Sequence, residues 1–161
     1  MARIAIVIVI AAVVASIGIA FSYYVEFQPN FLNVNAGESV KVGPVKYIVE
    51  YIGNHDGDEK TRPENTFFQI SITAENVGKE QTKITGGQFY ILDENDNKLQ
   101  PVYGNFSEND LLTDMLKPNT AMSYTTQFDV QFDENKQYRI GILPTKEQSS
   151  RDIGIICVAN C

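Results

Sequence analysis

Twenty-two consecutive residues near the amino terminus, Ile4 to Val25 (IAIVIVIAAVVASIGIAFSYYV), carry no charge. No other feature of the chain restricts its fold so severely. At ~1.5 Å per residue a helix of this length spans about 33 Å, enough for a ~30 Å hydrocarbon core. In lipid the backbone must satisfy its own hydrogen bonds, so the β-branched residues here do not prevent a helix. A cleaved signal peptide is the competing reading. Its support is the short leading segment Met1 to Arg3 and the small pair Gly18 and Ala20, spaced like a cleavage site. The run continues past Ala20, however, and ends on Tyr23 and Tyr24, the amphipathic rings expected at a lipid–water boundary. The sequence is therefore read as a retained anchor. Arg3 is the one charged side chain ahead of the run and Glu26 the first after it. The positive-inside rule keeps the amino terminus in the cytoplasm and sends residues 26–161 out.

With Arg3 set aside, the exported part holds 12 Lys+Arg against 20 Asp+Glu, a net charge of −8. Such a surface repels phosphate backbones and anionic headgroups, which argues against nucleic-acid binding. The charges are scattered, as on a solvated acidic face.

Beyond residue 26 the dominant signal is period two. Glu26 to Asn35, containing Pro29, reads as a connector. Strands are expected at Glu38–Val42, Lys46–Ile52, around Phe68–Ala74, and at Thr82–Ile84, Gln88–Leu92 and Lys98–Val102. Three more follow at Met122–Val130, Gln137–Leu143 and Asp152–Val158. Gly53 to Asn65 has no large apolar residue and reads as a long loop with a lone solvated histidine, His55. Ser107 and Asp110 fit a capping box that opens a short helix through Leu111, Leu112, Met115 and Leu116, stopped by Pro118. Short strands at near-regular spacing without alternating helices predict an all-β, antiparallel sandwich.

Four segments in this order, VNAGESVKVGPVKYIVEYIG, FFQISITAENVGKE, QFYILDENDNKL and LKPNTAMSYTTQFDV, resemble an exported bacterial and archaeal family of unknown function. The resemblance runs from about Asn35 to Leu143. Its most specific pieces are Glu75-Asn76-Val77-Gly78, a Leu-Asp pair before a polar turn, and Lys117-Pro118 ahead of Phe128-Asp129-Val130. It implies an immunoglobulin-like, telokin-like sandwich and no shared catalytic residues. Two departures stand out. Pro118-Asn119 replaces the usual Pro-Gly, so that turn is expected to differ. No Cys follows the apolar run, so the lipoprotein signal of many members is absent and the helix itself must anchor. The chain then divides into an anchor (1–25), a connector (26–35) and an immunoglobulin-like domain outside the cytoplasm (36–161).

Candidate sites are few. Cys157 and Cys161, spaced C-x3-C, are the two cysteines. In an oxidising compartment a disulfide is the natural state, with free or intermolecular thiols and metal ligation as alternatives. Ligation needs two more soft or imidazole ligands, and one histidine excludes a blue-copper set. Asp93, Asn95 and Asp96 open like a calcium loop but lack the late bidentate Glu, so a turn built on local hydrogen bonds is the better account. Asn105-Phe106-Ser107 is a glycosylation sequon. No phosphate loop, nucleophile elbow or triad is present, and no cofactor is implied. Ala11, Ala15 and Gly18 give the span a close-packing face.

These features predict a non-catalytic, membrane-tethered interaction module. Its expected partners are membrane lipid and other membrane or cell-envelope proteins, in an accessory-subunit role. A pilin-like filament subunit shares the layout of apolar helix and immunoglobulin-like domain, but the basic prepilin segment is missing. An enzyme or an extracytoplasmic ligand-binding protein is the third class. The binding surface is expected in the span, the adjacent sandwich end and the segments Gly53–Asn65 and Tyr103–Lys117, not in an internal pocket.

Overall fold

A computed structural model describes residues 2–93, 97–104 and 106–161. Helix α1 (Ala2–Glu26) takes up the uncharged run. Its portion Ile6–Glu26 is long and apolar enough to cross a membrane. Inside it, the Ser16 and Ser22 hydroxyls donate to the carbonyls of Ala12 (2.8 Å) and Gly18 (2.9 Å), so neither is left unpaired in an apolar setting.

Eleven strands follow: β1 (Asn30–Asn35), β2 (Ser39–Val42), β3 (Val45–His55), β4 (Thr66–Asn76), β5 (Thr82–Thr85), β6 (Phe89–Leu92), β7 (Lys98–Leu99), β8 (Thr113–Leu116), β9 (Ala121–Val130), β10 (Tyr138–Ile142) and β11 (Asp152–Ala159). One sheet has the order β1-β11-β10-β6-β7, a second β2-β3-β4-β9, and β5 pairs with β8 alone. Alternation decides which face each strand buries. Along β4, Phe68, Ile70, Ile72 and Ala74 are fully buried, while Gln69, Ser71, Thr73 and Glu75 point away. Each large apolar side chain so buried contributes about 1.5–3 kcal/mol. They meet Ile91, Ile140 and Ile156 of the facing sheet, and Tyr47 meets Phe89 edge-on at 5.7 Å between ring centroids. The domain is an all-β sandwich behind one apolar helix.

Three expectations need correction. The connector holds a strand: β1 lies parallel to β11, from Asn30 beside Asp152 to Asn35 beside Cys157, and Leu32 and Val34 pack on the core. Among the described strands the pairing is thus antiparallel except for this pair. No helix forms after Ser107. Thr113–Leu116 pairs antiparallel with β5, because β5 otherwise lacks a partner and that pairing buries Leu116. His55 is not a loop residue. A register shift between Tyr51 and Gly53 carries β3 on to pair His55 with Phe67. At the Pro118-Asn119 turn, Asn119 adopts φ +55°, a left-handed conformation that Asn tolerates best after Gly.

Candidate functional site

The two segments singled out as adaptable come together. Asp58, Glu59, Lys60 and Thr61 from the β3–β4 loop and Tyr103, Gly104 and Leu112 from the β7–β8 connection line one open groove of about 620 Å³. Tyr103 and Leu112 are 50% and 55% exposed, large apolar surfaces offered to solvent.

Both walls are fixed from below. His55, Phe67 and Phe106 form an aromatic triangle, with centroid separations of 5.2 Å (His55–Phe67), 5.4 Å (His55–Phe106) and 4.9 Å (Phe67–Phe106). Phe106 belongs to one wall and the strand ends to the other, so the triangle joins them. His55 Nδ1 accepts from the Gly57 N–H at 3.1 Å, which starts the loop. Gly57 has φ +80° and its α-carbon faces the Thr61 carbonyl, leaving no room for a side chain. Asp58 Oδ1 then accepts from the N–H groups of Lys60 (2.7 Å) and Thr61 (2.6 Å). The hydrogen bonds from Thr61 and Lys60 hold the Asp58 carboxyl below the usual carboxylate range. Asp129 clamps the far end of the loop, accepting from the N–H groups of Glu64 (2.6 Å) and Asn65 (3.0 Å). On the opposite wall, Asp110 accepts from the N–H groups of Phe106 (2.9 Å) and Ser107 (3.3 Å) and from the Thr125 hydroxyl (2.7 Å). The carboxylate expected to cap a helix instead pins this connection to the edge of β9. The long polar loop is thus held at one end by Asp58 and at the other by Asp129.

A second, more enclosed cavity lies among Ile91, Leu99, Val130 and Tyr138, bordered by Asp93 and Lys136. Its volume of about 210 Å³ falls short of the roughly 300–1,000 Å³ usual for small-molecule sites.

The remaining sequence candidates are placed as follows. Cys157 and Cys161 are joined by a disulfide, with Cys157 buried on β11 and Cys161 exposed beyond its end. Asp93 accepts from the Asn97 N–H and side-chain amide, each at 2.8 Å, a local turn, while Asn95 and Asp96 lie outside the described residues. Asn105 is also outside them. Among the described residues no three His, Cys, Asp or Glu side chains are grouped to hold a metal ion. Ala11, Ala15 and Gly18 are exposed, and a side-chain carbon at Gly18 would meet nothing within 4 Å.

Reading the sequence missed two buried polar knots beneath the loops at the helix end. Asn76, wholly buried, donates through Nδ2 to the carbonyls of Glu80 (2.8 Å) and Leu116 (2.9 Å) and accepts from the Gly78 N–H (2.9 Å). Its backbone also bonds Thr120 (3.0 Å) and Asn119 (2.8 Å). Gln148 Oε1 accepts from Gln88 Nε2 (3.1 Å) and the Thr145 N–H (3.0 Å), and its Nε2 donates to the Lys83 carbonyl (3.1 Å). Asn76 sits in a segment already marked as distinctive, whereas Gln148 in TKEQSS carries no signal that separates it from an ordinary polar loop.

No curated protein matches the chain in sequence. Solved structures do match in shape. The yjhA protein of Bacillus subtilis is 19% identical with a TM-score of 0.60, over 77% of this chain and 98% of its own. MPT63, a secreted protein of Mycobacterium tuberculosis, is 7% identical with a TM-score of 0.58, over 78% of this chain and 97% of its own. The ycdA protein of Bacillus subtilis is 14% identical with a TM-score of 0.59, over 75% of this chain and 38% of its own. At these identities the likeness is one of fold. The model of a family described as Domain of unknown function (DUF4352) matches residues 34–149, from the end of β1 through β10, and the chain belongs to that family.

Proposed function

We propose that this protein is a non-catalytic interaction module, held in the cell membrane by α1 with its sandwich outside the cytoplasm, and that it serves as an accessory subunit of a membrane protein complex or cell-envelope assembly. The observation that carries this reading is the groove. Its walls are braced by hydrogen bonds, its exposed side chains Tyr103 and Leu112 are apolar, and Asp58 and Glu59 border it. Aromatic residues presented on a fixed surface are the usual anchors of protein recognition. The occupant suited to such a groove is a protein segment with an apolar side chain beside basic ones. The span supplies a second contact through Ala11, Ala15 and Gly18, since helices in lipid associate by close packing of small residues. Tethering raises the local concentration of the domain, so a modest contact suffices. The secreted MPT63 is consistent with a sandwich that works outside the cell.

The test is extraction in mild detergent and identification of the proteins that travel with the chain. Tyr103→Ala with Leu112→Ser, and separately Ala11, Ala15 and Gly18 changed to Leu, should each weaken recovery of the same partner. Unchanged recovery with both sets, the fold being retained, refutes the accessory-subunit reading.

A further inference from the structure

The net charge of −8 is unevenly distributed, and the unevenness follows the strands. Only Phe27, Gln28 and Pro29 separate the end of α1 from the first residue of β1. Phe27 and Gln28 still donate backward into the helix, to the carbonyls of Tyr23 (3.0 Å) and Val25 (3.4 Å). Three residues reach about 11 Å at most. The end of the sandwich where β1 begins is therefore held close to wherever the helix leaves the bilayer.

The hydrogen bonds define which loops share that end. Asn30 N–H donates to the Arg151 carbonyl (3.0 Å), joining the 143–151 loop to the start of β1. Gly43 abuts Gln148 and Ser150 of that loop. Val77 N–H donates to the Pro44 carbonyl (2.9 Å), and Asn76 ties in the 117–120 turn. Four loops, 43–44, 77–81, 117–120 and 143–151, are thus one surface beside the helix. Lys79, Lys117, Lys146 and Arg151 stand exposed on it. Lys41, Lys46 and Lys83 lie on the adjoining strand ends, making seven cations against Glu26, Glu75, Glu80, Glu147 and Asp152. At the opposite end, the loops 36–38, 56–65 and 131–137 carry Glu38, Asp56, Asp58, Glu59, Glu64, Asp133 and Glu134 against Lys60, Arg62 and Lys136. A polar groove among Gln28, Asn30, Ser149, Ser150, Arg151 and Asp152, next to Val25, lies where headgroups would meet the protein.

We infer that this end of the sandwich is a docking face for anionic lipid headgroups of the bilayer that α1 crosses, with Lys79, Lys117, Lys146 and Arg151 as its contacts. The inference rests on the spanning role of α1. A uniformly acidic domain would be repelled from such a surface, but a polarised one is oriented by it. In an upright domain its cations face the headgroups, whose field decays over a Debye length of about 8 Å at physiological ionic strength, while the acids of the far end lie a strand's length away.

The full chain is reconstituted in vesicles of phosphatidylcholine alone and of phosphatidylcholine with phosphatidylglycerol, and amide hydrogen exchange is followed loop by loop. Exchange in 77–81, 117–120 and 143–151 should slow about threefold or more in the anionic vesicles, with 56–65 unchanged. The slowing should vanish at about 1 M salt, where the Debye length is ~3 Å. It should vanish too in the variant Lys79→Glu, Lys117→Glu, Lys146→Glu, Arg151→Glu. Retention of the chain on vesicles after an alkaline wash reports separately on the span. Retention without lipid-dependent slowing, slowing that survives charge reversal, or slowing at 56–65 overturns the docking face alone. Loss of the chain in the wash overturns the span and the inference with it.

Discussion

Asn76 makes three side-chain hydrogen bonds, two within the 77–81 loop and one to the end of β8. Asn76→Ala strands the Glu80 and Leu116 carbonyls and the Gly78 N–H, the Leu116 carbonyl in a buried setting and the other two in half-buried ones. A stranded buried group costs roughly 1–3 kcal/mol, so this substitution should lower unfolding stability by about that much in urea titration. A conformational rather than a bonding cost governs Asn119, whose neighbour Pro118 starts the turn. Asp58 gives a pH signature. Its folded carboxyl is held low by the hydrogen bonds from Thr61 and Lys60, so its contribution is present in full above the ordinary carboxylate value of ~3.9 and is lost as pH falls through the lowered one. Asp133 behaves in the same direction through Asn135. Asp58→Asn should therefore lose less stability than the parent between about pH 5 and pH 2, read from thermal midpoints across that range. What the sequence showed at this scale was identity without destination. Asn76 stood out as part of a strand end, but the carbonyl of Leu116, forty residues on, appears only when β8 and β4 are brought together.

β1 shows what an element can hide. Its signal was present, since Leu32 and Val34 alternate, but six residues after a proline were too short a run to separate from a connector. Parallel pairing with the last strand is a contact between the two ends of the domain, which no local pattern encodes. A fragment starting at residue 36 exposes the edge of β11 and should be less stable and prone to association. A fragment starting at residue 28 should be monomeric and β-rich; size exclusion and circular dichroism distinguish them. The helix expected at Ser107–Leu116 failed for the complementary reason. Capping residues and a partial apolar face were legible, yet pairing of 113–116 with β5 outweighed a weak local preference. The disulfide of β11 closes a small loop, for which chain entropy gives at most ~2 kcal/mol, so Cys157→Ser with Cys161→Ser should cost no more than that in denaturant unfolding.

For the molecule as a whole, sequence periodicity revealed the sandwich and the apolar run revealed the helix. The groove was legible only as two separate loops, because the aromatic triangle joining them draws His55, Phe67 and Phe106 from three places in the chain. Charge was legible as a total and not as a gradient. The short link from α1 to β1 makes orientation a property of the full chain. Inserting six Gly/Ser residues after Gln28 should abolish the lipid-dependent slowing of loop exchange without changing the domain's melting temperature. The same link turns the sandwich into a ruler. β3 and β4 are each 11 residues long, and at ~3.3 Å per residue they set the far rim about 36 Å from the end where α1 joins, the height above the headgroups of an upright domain on the proposed spanning role of α1. The groove between Asp58 and Tyr103 opens toward that rim. Short exported turns of a neighbouring membrane protein end well beneath it. On the proposed anchored reading, an occupant of the groove must stand as tall: a partner with its own exported domain, or a strand of wall material reaching down.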